Sequence, residues 1–322
     1  RRDTHHRGCR FDTGHKWPMF HFCVGKTSGK TSVLHVDFDC IILDAWSAKL
    51  LLNEIFSLYY GKDVKFPRIS FMNYMRLKTD KGDLEAEEYW KEKVKNMPSF
   101  PKLNYQKKFA EVQNVRFDRI ECDFSFIETQ RLYQKIKNYH FTPAAVISTI
   151  FMKTLAQYSE TPGLSINVTL FNRQLLHEDV NGILGEFTNN AVISYQEKTD
   201  SLLDAIRATQ EQMWRLVQYR KFEGSNILKM LSSGRAGKAI MPVVFTCMLE
   251  GNVSKVTKKR YSFKEEYAIS QTPQVVLDHH VRDDLGYLKI SWDYIIDIFD
   301  KQYITDIFGA YVNNIKKFME KY

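Results

Sequence analysis

Along this chain the spacing of apolar residues alternates between a period of two and a period near 3.6, and each change marks an element. An apolar run over residues 19–24 predicts a strand, and Gly25-Lys26-Thr27-Ser28-Gly29 after it predicts a turn. A second strand-like run covers residues 32–43, and a helical pattern follows over residues 44–60. In that helix Leu51, Ile55 and Leu58 recur at helical spacing and predict one buried face, with Gly61 placed to end it. Residues 85–95 predict a charged surface helix stopped by Pro98, and Pro98-Ser99-Phe100-Pro101 predicts an extended connector. A lobe boundary is expected just beyond it, dividing the chain into residues 1–110 and 111–322.

The remainder predicts a strand over residues 114–126 and a helix over residues 128–138. Thr142-Pro143 is a strong helix start, an N-cap followed by proline in the first turn, and the helix runs to about residue 158. Strands are expected over residues 164–170, 191–195, 242–249, 274–277 and 288–293. A long helix is expected over residues 201–219, and an amphipathic one closes the chain over residues 301–322. Strands mixed with helices at these lengths predict an α/β or α+β protein with open sheets.

Composition adds that the chain is globular: 322 residues, 44% apolar and 26% charged, long enough for two lobes. No apolar run approaches the ~20 residues that span a bilayer, so no membrane role is expected. The first ~15 residues read as irregular, basic and histidine-rich, without the apolar stretch of a signal peptide. Cys9, Cys23, Cys40, Cys122 and Cys247 are scattered and form no C-x2-C pair. A disulfide framework or a metal site is therefore not expected, which fits a reducing cytoplasm. The net charge is +8, with one dense cluster at Lys255, Lys258, Lys259 and Arg260. With no RNA-binding or zinc-finger pattern beside it, that cluster reads as a solvated loop in preference to a nucleic-acid patch.

The segment richest in candidate chemistry is His35-Val36-Asp37-Phe38-Asp39-Cys40-Ile41-Ile42-Leu43-Asp44-Ala45-Trp46-Ser47. It sets Asp39, Asp44 and Ser47 in the spacing Asp-x4-Asp-x2-Ser where an apolar strand gives way to a helix. Asp39 reads either as a site carboxylate or as a turn or cap aspartate. Ser47 lies in the helix's first turn and reads as a turn or capping residue, since no histidine is placed to activate it. Cys40 reads as a small apolar residue on a buried strand, with a nucleophile as the alternative. His279-His280-Val281-Arg282-Asp283-Asp284 spells His-His-x3-Asp, but it ends in the turn Asp284-Leu285-Gly286 and reads as a solvated hairpin.

The Asp-x4-Asp-x2-Ser pattern resembles the signature of heterocyclization domains of non-ribosomal peptide synthetases, a branch of the condensation-domain family. The family's usual signature is His-His-x3-Asp-Gly; on that alignment Asp39 and Cys40 replace the histidines and Asp44 keeps the aspartate. Further ordered segments are similar to family motifs. They are Tyr89-Trp90 with Met97-Pro98-x2-Pro101-x-Leu103, Phe141-Thr142-Pro143, Asn167-Val168-Thr169-Leu170-Phe171-Asn172-Arg173, Gly185-Glu186-Phe187-Thr188 (Glu for the usual Asp), Pro242-Val243-Val244-Phe245-Thr246, and Ser270-Gln271-Thr272-Pro273-Gln274-Val275-x-Leu277-Asp278 followed by Trp292-Asp293.

The resemblance implies two chloramphenicol-acetyltransferase-like lobes in a V, the first lobe incomplete here because family domains extend about a hundred residues further at the front. It implies donor and acceptor peptidyl carrier proteins as partners, each presenting a substrate on 4'-phosphopantetheine, with an adenylation domain adjacent and no cofactor bound by the domain itself. Attraction to acidic carriers is a third reading of the positive charge. The implied reaction joins a carrier-bound acyl group to the amine of Cys, Ser or Thr, then closes the side chain onto the new amide to give a thiazoline or oxazoline. Asp39 and Thr188 are the implied catalytic residues. Asp44 is implied to form a structural ion pair across the cleft, with Arg173 as the suggested partner, and Ser47 to help shape the site. The chain departs from the pattern at Trp214-Arg215-Leu216-Val217-Gln218-Tyr219-Arg220, where Gln218 stands in place of the aspartate expected to work with Thr188; a shifted alignment would recruit Glu223 instead. Glutamine exchanges no proton at neutral pH, which leaves open a condensation-only catalyst or a carrier-docking module.

Overall fold

The structure, a computed structural model, describes residues 17–27, 29, 31–78, 83–197, 201–233, 241–249, 266–272, 274–284 and 286–322. The first sixteen residues with Cys9, the basic cluster at Lys255, Lys258, Lys259 and Arg260, and Ser28, Pro273 and Leu285 of the motifs above lie outside the described residues. Two compact units are present, one from Arg1–Lys81 with Phe171–Thr188, the other from Gly82–Leu170 with Asn189–Tyr322.

In the first unit β1 (Phe20–Lys26) and β2 (Ser32–Phe38) form an antiparallel hairpin, with Cys23 opposite His35. The second strand is shorter than the sequence predicts. The Asp39 carboxylate accepts the Ile41 N–H at 2.9 Å, and Ile42 N–H bonds the Asp39 carbonyl at 3.1 Å, so the chain curls at Asp39. Cys40 consequently sits exposed in a turn, not on a buried strand. Helix α1 (Ala45–Tyr59) starts at Asp44, whose side chain caps Ser47 N–H. It ends at Gly61, which takes a φ of 67° and donates its N–H to Leu58 O at 2.9 Å. The predicted buried face is not found: Leu51 and Ile55 are half-buried and Leu58 is exposed, while Ser47 and Ala48 in the first turn are the buried residues. Helix α2 (Phe71–Leu77), not foreseen from the sequence, starts at a Ser70 cap. Its Tyr74 joins Val180, Ile183 and Phe187 in a small core, with Ile69 and Phe71 packed against it.

The second unit is built on a six-stranded mixed sheet in the order β3-β8-β7-β6-β4-β5. Its strands are β3 (Phe117–Asp123), β4 (Gly163–Phe171), β5 (Thr188–Gln196), β6 (Val243–Met248), β7 (Leu277–Asp284) and β8 (Tyr287–Ile295). The last residue of β4 and the first of β5 belong to the first unit. Strands β4, β6 and β7 run parallel to one another, and β8 pairs antiparallel with both β7 and β3. The helices are α3 (Leu84–Asn96), α4 (Phe126–Asn138), α5 (Pro143–Gln157), α6 (Leu202–Gln218), α7 (Gly224–Ser233) and α8 (Lys301–Lys321). Thr142 caps α5 through Ala145 N–H, with proline in the first turn as the sequence predicts. Strand β3 stops early because Ser125 and Glu128 form a capping box that opens α4. Helix α5 is buried along most of its length, with Ile147, Ile150, Phe151 and Met152 in the core beside Phe245, Trp292 and Tyr311.

One expectation is corrected here. His279-His280-Val281-Arg282-Asp283-Asp284 is not a solvated hairpin loop. It lies in β7, an interior strand paired on both sides, and His279 is fully buried. Burial pushes the His279 pKa well below the usual imidazole range, and its Nε2 lies 2.8 Å from the Tyr311 hydroxyl. No helix among the described residues is long and apolar enough to cross a membrane.

Candidate active site

Three separated sequence segments meet in the first unit. Asp44 and Ser47 come from the start of α1, Arg173 follows β4, and Gly185-Glu186-Phe187-Thr188 leads into β5. Arg173 Nη2 donates to Ser47 Oγ at 2.7 Å and lies 3.4 Å from Asp44 Oδ1. Its Nη1 donates to the carbonyls of Val180 (2.9 Å) and Ile183 (2.8 Å). The guanidinium carbon sits 3.9 Å from the centre of the Phe187 ring, a cation–π contact. Burial lowers the Arg173 pKa and Asp44 opposes that shift; an arginine remains charged either way.

Asp44 and Ser47 hold the Gly185–Thr188 element by its backbone. Asp44 N–H bonds Gly185 O at 3.1 Å, and Asp44 Oδ2 accepts Phe187 N–H at 3.2 Å. Ser47 Oγ donates to Gly185 O at 2.7 Å and accepts Gly185 N–H at 3.0 Å. With Arg173 also donating to it, the Ser47 hydroxyl is saturated, which suits a brace and leaves no free lone pair for nucleophilic attack. Gly185 is required by space: a Cβ there would lie 2.2 Å from Cδ2 of Phe71. Phe187 packs edge-on against Phe71 with ring centres 5.0 Å apart.

Thr188 is half-buried and donates its backbone N–H to the carboxylate of Glu186. Burial raises the Glu186 pKa, the bonds from Thr188 oppose the rise, and the Asp44 charge adds to it. In the sequence Glu186 reads only as a conservative replacement for the family's usual Asp. Its i, i+2 spacing to Thr188 is the one sequence signal for their contact. Asp39, half-buried in the first unit, uses one carboxylate oxygen in its own turn. Gln218 is the exposed last residue of α6, in the second unit. Glu223 lies between α6 and α7, and its carbonyl accepts Asn226 N–H at 2.9 Å.

A second buried charge cluster, unseen in the sequence, lies in the second unit. Arg119 on β3 holds Asp293 on β8 through two hydrogen bonds of 2.6 and 2.8 Å. His280 Nε2 lies 3.3 Å from Asp278 and 3.7 Å from Asp293. Ser270 N–H donates to Asp293 at 2.7 Å. Burial works against charge on His280, but Asp278 and Asp293 together outweigh it and hold its pKa above the usual imidazole range.

Comparison with known proteins places these features in a family context. The family model of the condensation domain matches residues 7–322. Bacitracin synthase 1 of Bacillus licheniformis is 27% identical over 312 residues, covering 94% of this chain and 6% of that protein. Phenyloxazoline synthase MbtB of Mycobacterium bovis is 26% identical over 315 residues, covering 92% of this chain and 22% of that protein. The EpoB NRPS cyclization-docking bidomain from Sorangium cellulosum superposes with a TM-score of 0.85 at 25% identity, covering 96% of this chain and 64% of that one. The chain thus spans less than a quarter of either synthase and under two thirds of the bidomain.

Proposed function

Since this chain belongs to the condensation-domain family, we propose that it acts as a heterocyclization domain. In this reading it joins a carrier-bound acyl thioester to the amine of a carrier-bound Cys, Ser or Thr. It then closes that residue's side chain onto the new amide, with loss of water. The supporting observation is the convergence of Asp44, Ser47 and Arg173 on the backbone of Gly185-Glu186-Phe187-Thr188. Those are the segments that carry the heterocyclization pattern, and they meet in one unit. A relative that makes a phenyloxazoline and a structural neighbour named for cyclization lean the same way.

The chemistry assigns roles. Amide formation depends chiefly on holding amine and thioester together, which supplies effective molarity. Ring closure needs a base for the thiol or hydroxyl and an acid for the departing oxygen. Thr188 is the proposed hydroxyl of that second step, and Asp39 the proposed site carboxylate. Asp44, Ser47 and Arg173 shape the site without touching substrate. Substrates arrive on 4'-phosphopantetheine arms of donor and acceptor carrier proteins loaded by an adenylation domain, and the domain binds no cofactor of its own.

Gln218 favours a second reading, in which condensation persists without cyclization or the chain only docks carriers. Intact-mass spectrometry separates the three. With an acetyl-loaded donor carrier and a cysteinyl-loaded acceptor carrier, a product one water lighter than the linear amide is the expected outcome. Linear amide alone would mean a condensation catalyst, and no transfer a docking module.

A further inference from the structure

We propose that Tyr89, Lys93 and Arg215 form a phosphate-binding site in the second unit, where α3 lies beside the end of α6. The site stands apart from the heterocyclization reading. It consists of two cations that share one tyrosine and have no counter-ion. Lys93 Nζ donates to the Tyr89 hydroxyl at 3.4 Å and lies 5.7 Å from the Tyr89 ring centre. The ammonium therefore stands at the hydroxyl edge of that ring and not over its face. It lies 5.2 Å from the Trp90 ring centre. The Arg215 guanidinium carbon lies 5.8 Å from the same Tyr89 ring centre. Neither cation pairs with a carboxylate among the described residues, whereas Lys91 on the same helix holds Glu87 at 2.6 Å. Glu85, in the first turn of α3, is taken by the Tyr219 hydroxyl at 2.8 Å.

The surroundings fix these groups in place. Tyr219 lies against Tyr89 with ring centres 4.7 Å apart, and Trp90 meets Tyr89 edge-on at 5.3 Å. Lys93 is half-buried and Trp90 is 2% exposed. Aromatic rings attract a cation, but more weakly than a carboxylate does. Burial, with the Arg215 charge adding to it, brings the Lys93 pKa down to about 7, as expected of a cation without a counter-ion. Two further donors lack an acceptor among the described residues. The Tyr89 hydroxyl accepts from Lys93 and keeps its own proton to give, and the buried Trp90 indole N–H has no partner.

These features select the ligand's chemistry. A carboxylate would neutralise one cation only. A phosphate dianion answers both, and its several oxygens can take the ammonium, the guanidinium fork and the Tyr89 O–H together. Such a group can come from a small phosphate ester in solution or from the phosphodiester of a 4'-phosphopantetheine arm.

The test titrates the full chain with inorganic phosphate by calorimetry, in chloride buffer at pH 7.5 and constant ionic strength, beside Lys93→Met and Arg215→Gln. Wild type is expected to bind one phosphate, and each variant to bind it about 10-fold more weakly. Lys93→Met removes an unpaired charge and should melt in chloride at or above the wild-type Tm. Trace labelling with acetic anhydride reads Lys93 directly: phosphate should slow its acetylation about 10-fold and leave Lys91 unchanged. Phosphate that displaces holo carrier assigns the site to the pantetheine arm, and phosphate that binds without disturbing holo carrier assigns it to a small ester. No binding by wild type, or equal binding by all three chains, overturns the inference. So does a Lys93→Met protein that melts below wild type in chloride, since the rings alone would then satisfy the lysine. Phosphate that slows Lys93 and Lys91 alike, or neither, also overturns it.

Discussion

The two buried charge clusters use the same ion-pair chemistry and are built by opposite means. In the second unit Arg119 and Asp293 face each other on paired strands, so sheet register alone brings them together for a bidentate contact. In the first unit no register helps. Asp44 and Arg173 are 129 residues apart in sequence, touch at 3.4 Å through one nitrogen, and depend on Ser47 and two carbonyls to complete the arrangement. A further ionisable residue beside each ion pair shows the difference in charge. Asp278 and Asp293 outnumber Arg119 and raise the His280 pKa against its burial, whereas burial is what raises the Glu186 pKa, with Asp44 adding to the rise and Arg173 opposing it. The sheet cluster sets two carboxylates around one arginine and a histidine, whereas the loop brace pairs one carboxylate with one arginine.

The comparison breaks most readily at the arginines. Arg173→Ala strands Asp44 and the carbonyls of Val180 and Ile183, and Arg119→Ala strands Asp293. Each is expected to cost about 3–5 kcal/mol in urea unfolding. A loss below about 1 kcal/mol for Arg173 alone would show the brace to be held by the Asp44 and Ser47 bonds to the backbone of Gly185 and Phe187 and not by the arginine. Next in size is Gly185→Ala, whose methyl meets the Phe71 ring and is expected to cost about 1–3 kcal/mol by overpacking. Adding Phe71→Ala should relieve part of that cost, giving a favourable coupling in a double-mutant cycle.

His280→Gln sharpens the charge argument through pH. A raised native pKa means that the stabilisation from the protonated ring is complete below the unfolded value of about 6.5. It is lost as pH rises through the native value. The Tm gap between wild type and His280→Gln should therefore be widest in mild acid and shrink as pH climbs past neutrality; a gap that grows with pH contradicts the cluster's assignment. The smallest effect is expected at Asp39→Asn, which keeps an oxygen for Ile41 N–H and should change stability by less than about 0.5 kcal/mol. A marked fall in product with that variant would separate a chemical role for Asp39 from its turn.

How far the site could be read in advance varied with the residue. Asp44 was legible because capping leaves a local mark, a polar residue ahead of a helical pattern. The Thr142-Pro143 start and the Gly61 stop were legible for the same reason. The half-buried state of Leu51 and Ile55 and the exposure of Leu58 were not, because periodicity reports a face and not what covers it. Strand β2 ended early because a side chain-to-backbone bond at Asp39 outcompeted an apolar run. His279 and His280 were misread because flanking polar residues imitate a loop, although β7 is an interior strand of the sheet.

By itself the sequence determined the family, the mixed α/β class, most element positions and the set of segments from which the site is drawn. Each depends on local chemistry or on ordered motifs that survive without coordinates. Only the tertiary structure decided that Ser47 is saturated as a brace, that Gly185 must stay small beneath Phe71, and that Arg119 answers Asp293. Those facts arise from groups far apart in the chain whose distance, burial and remaining hydrogen-bond capacity are fixed only when the backbone brings them together.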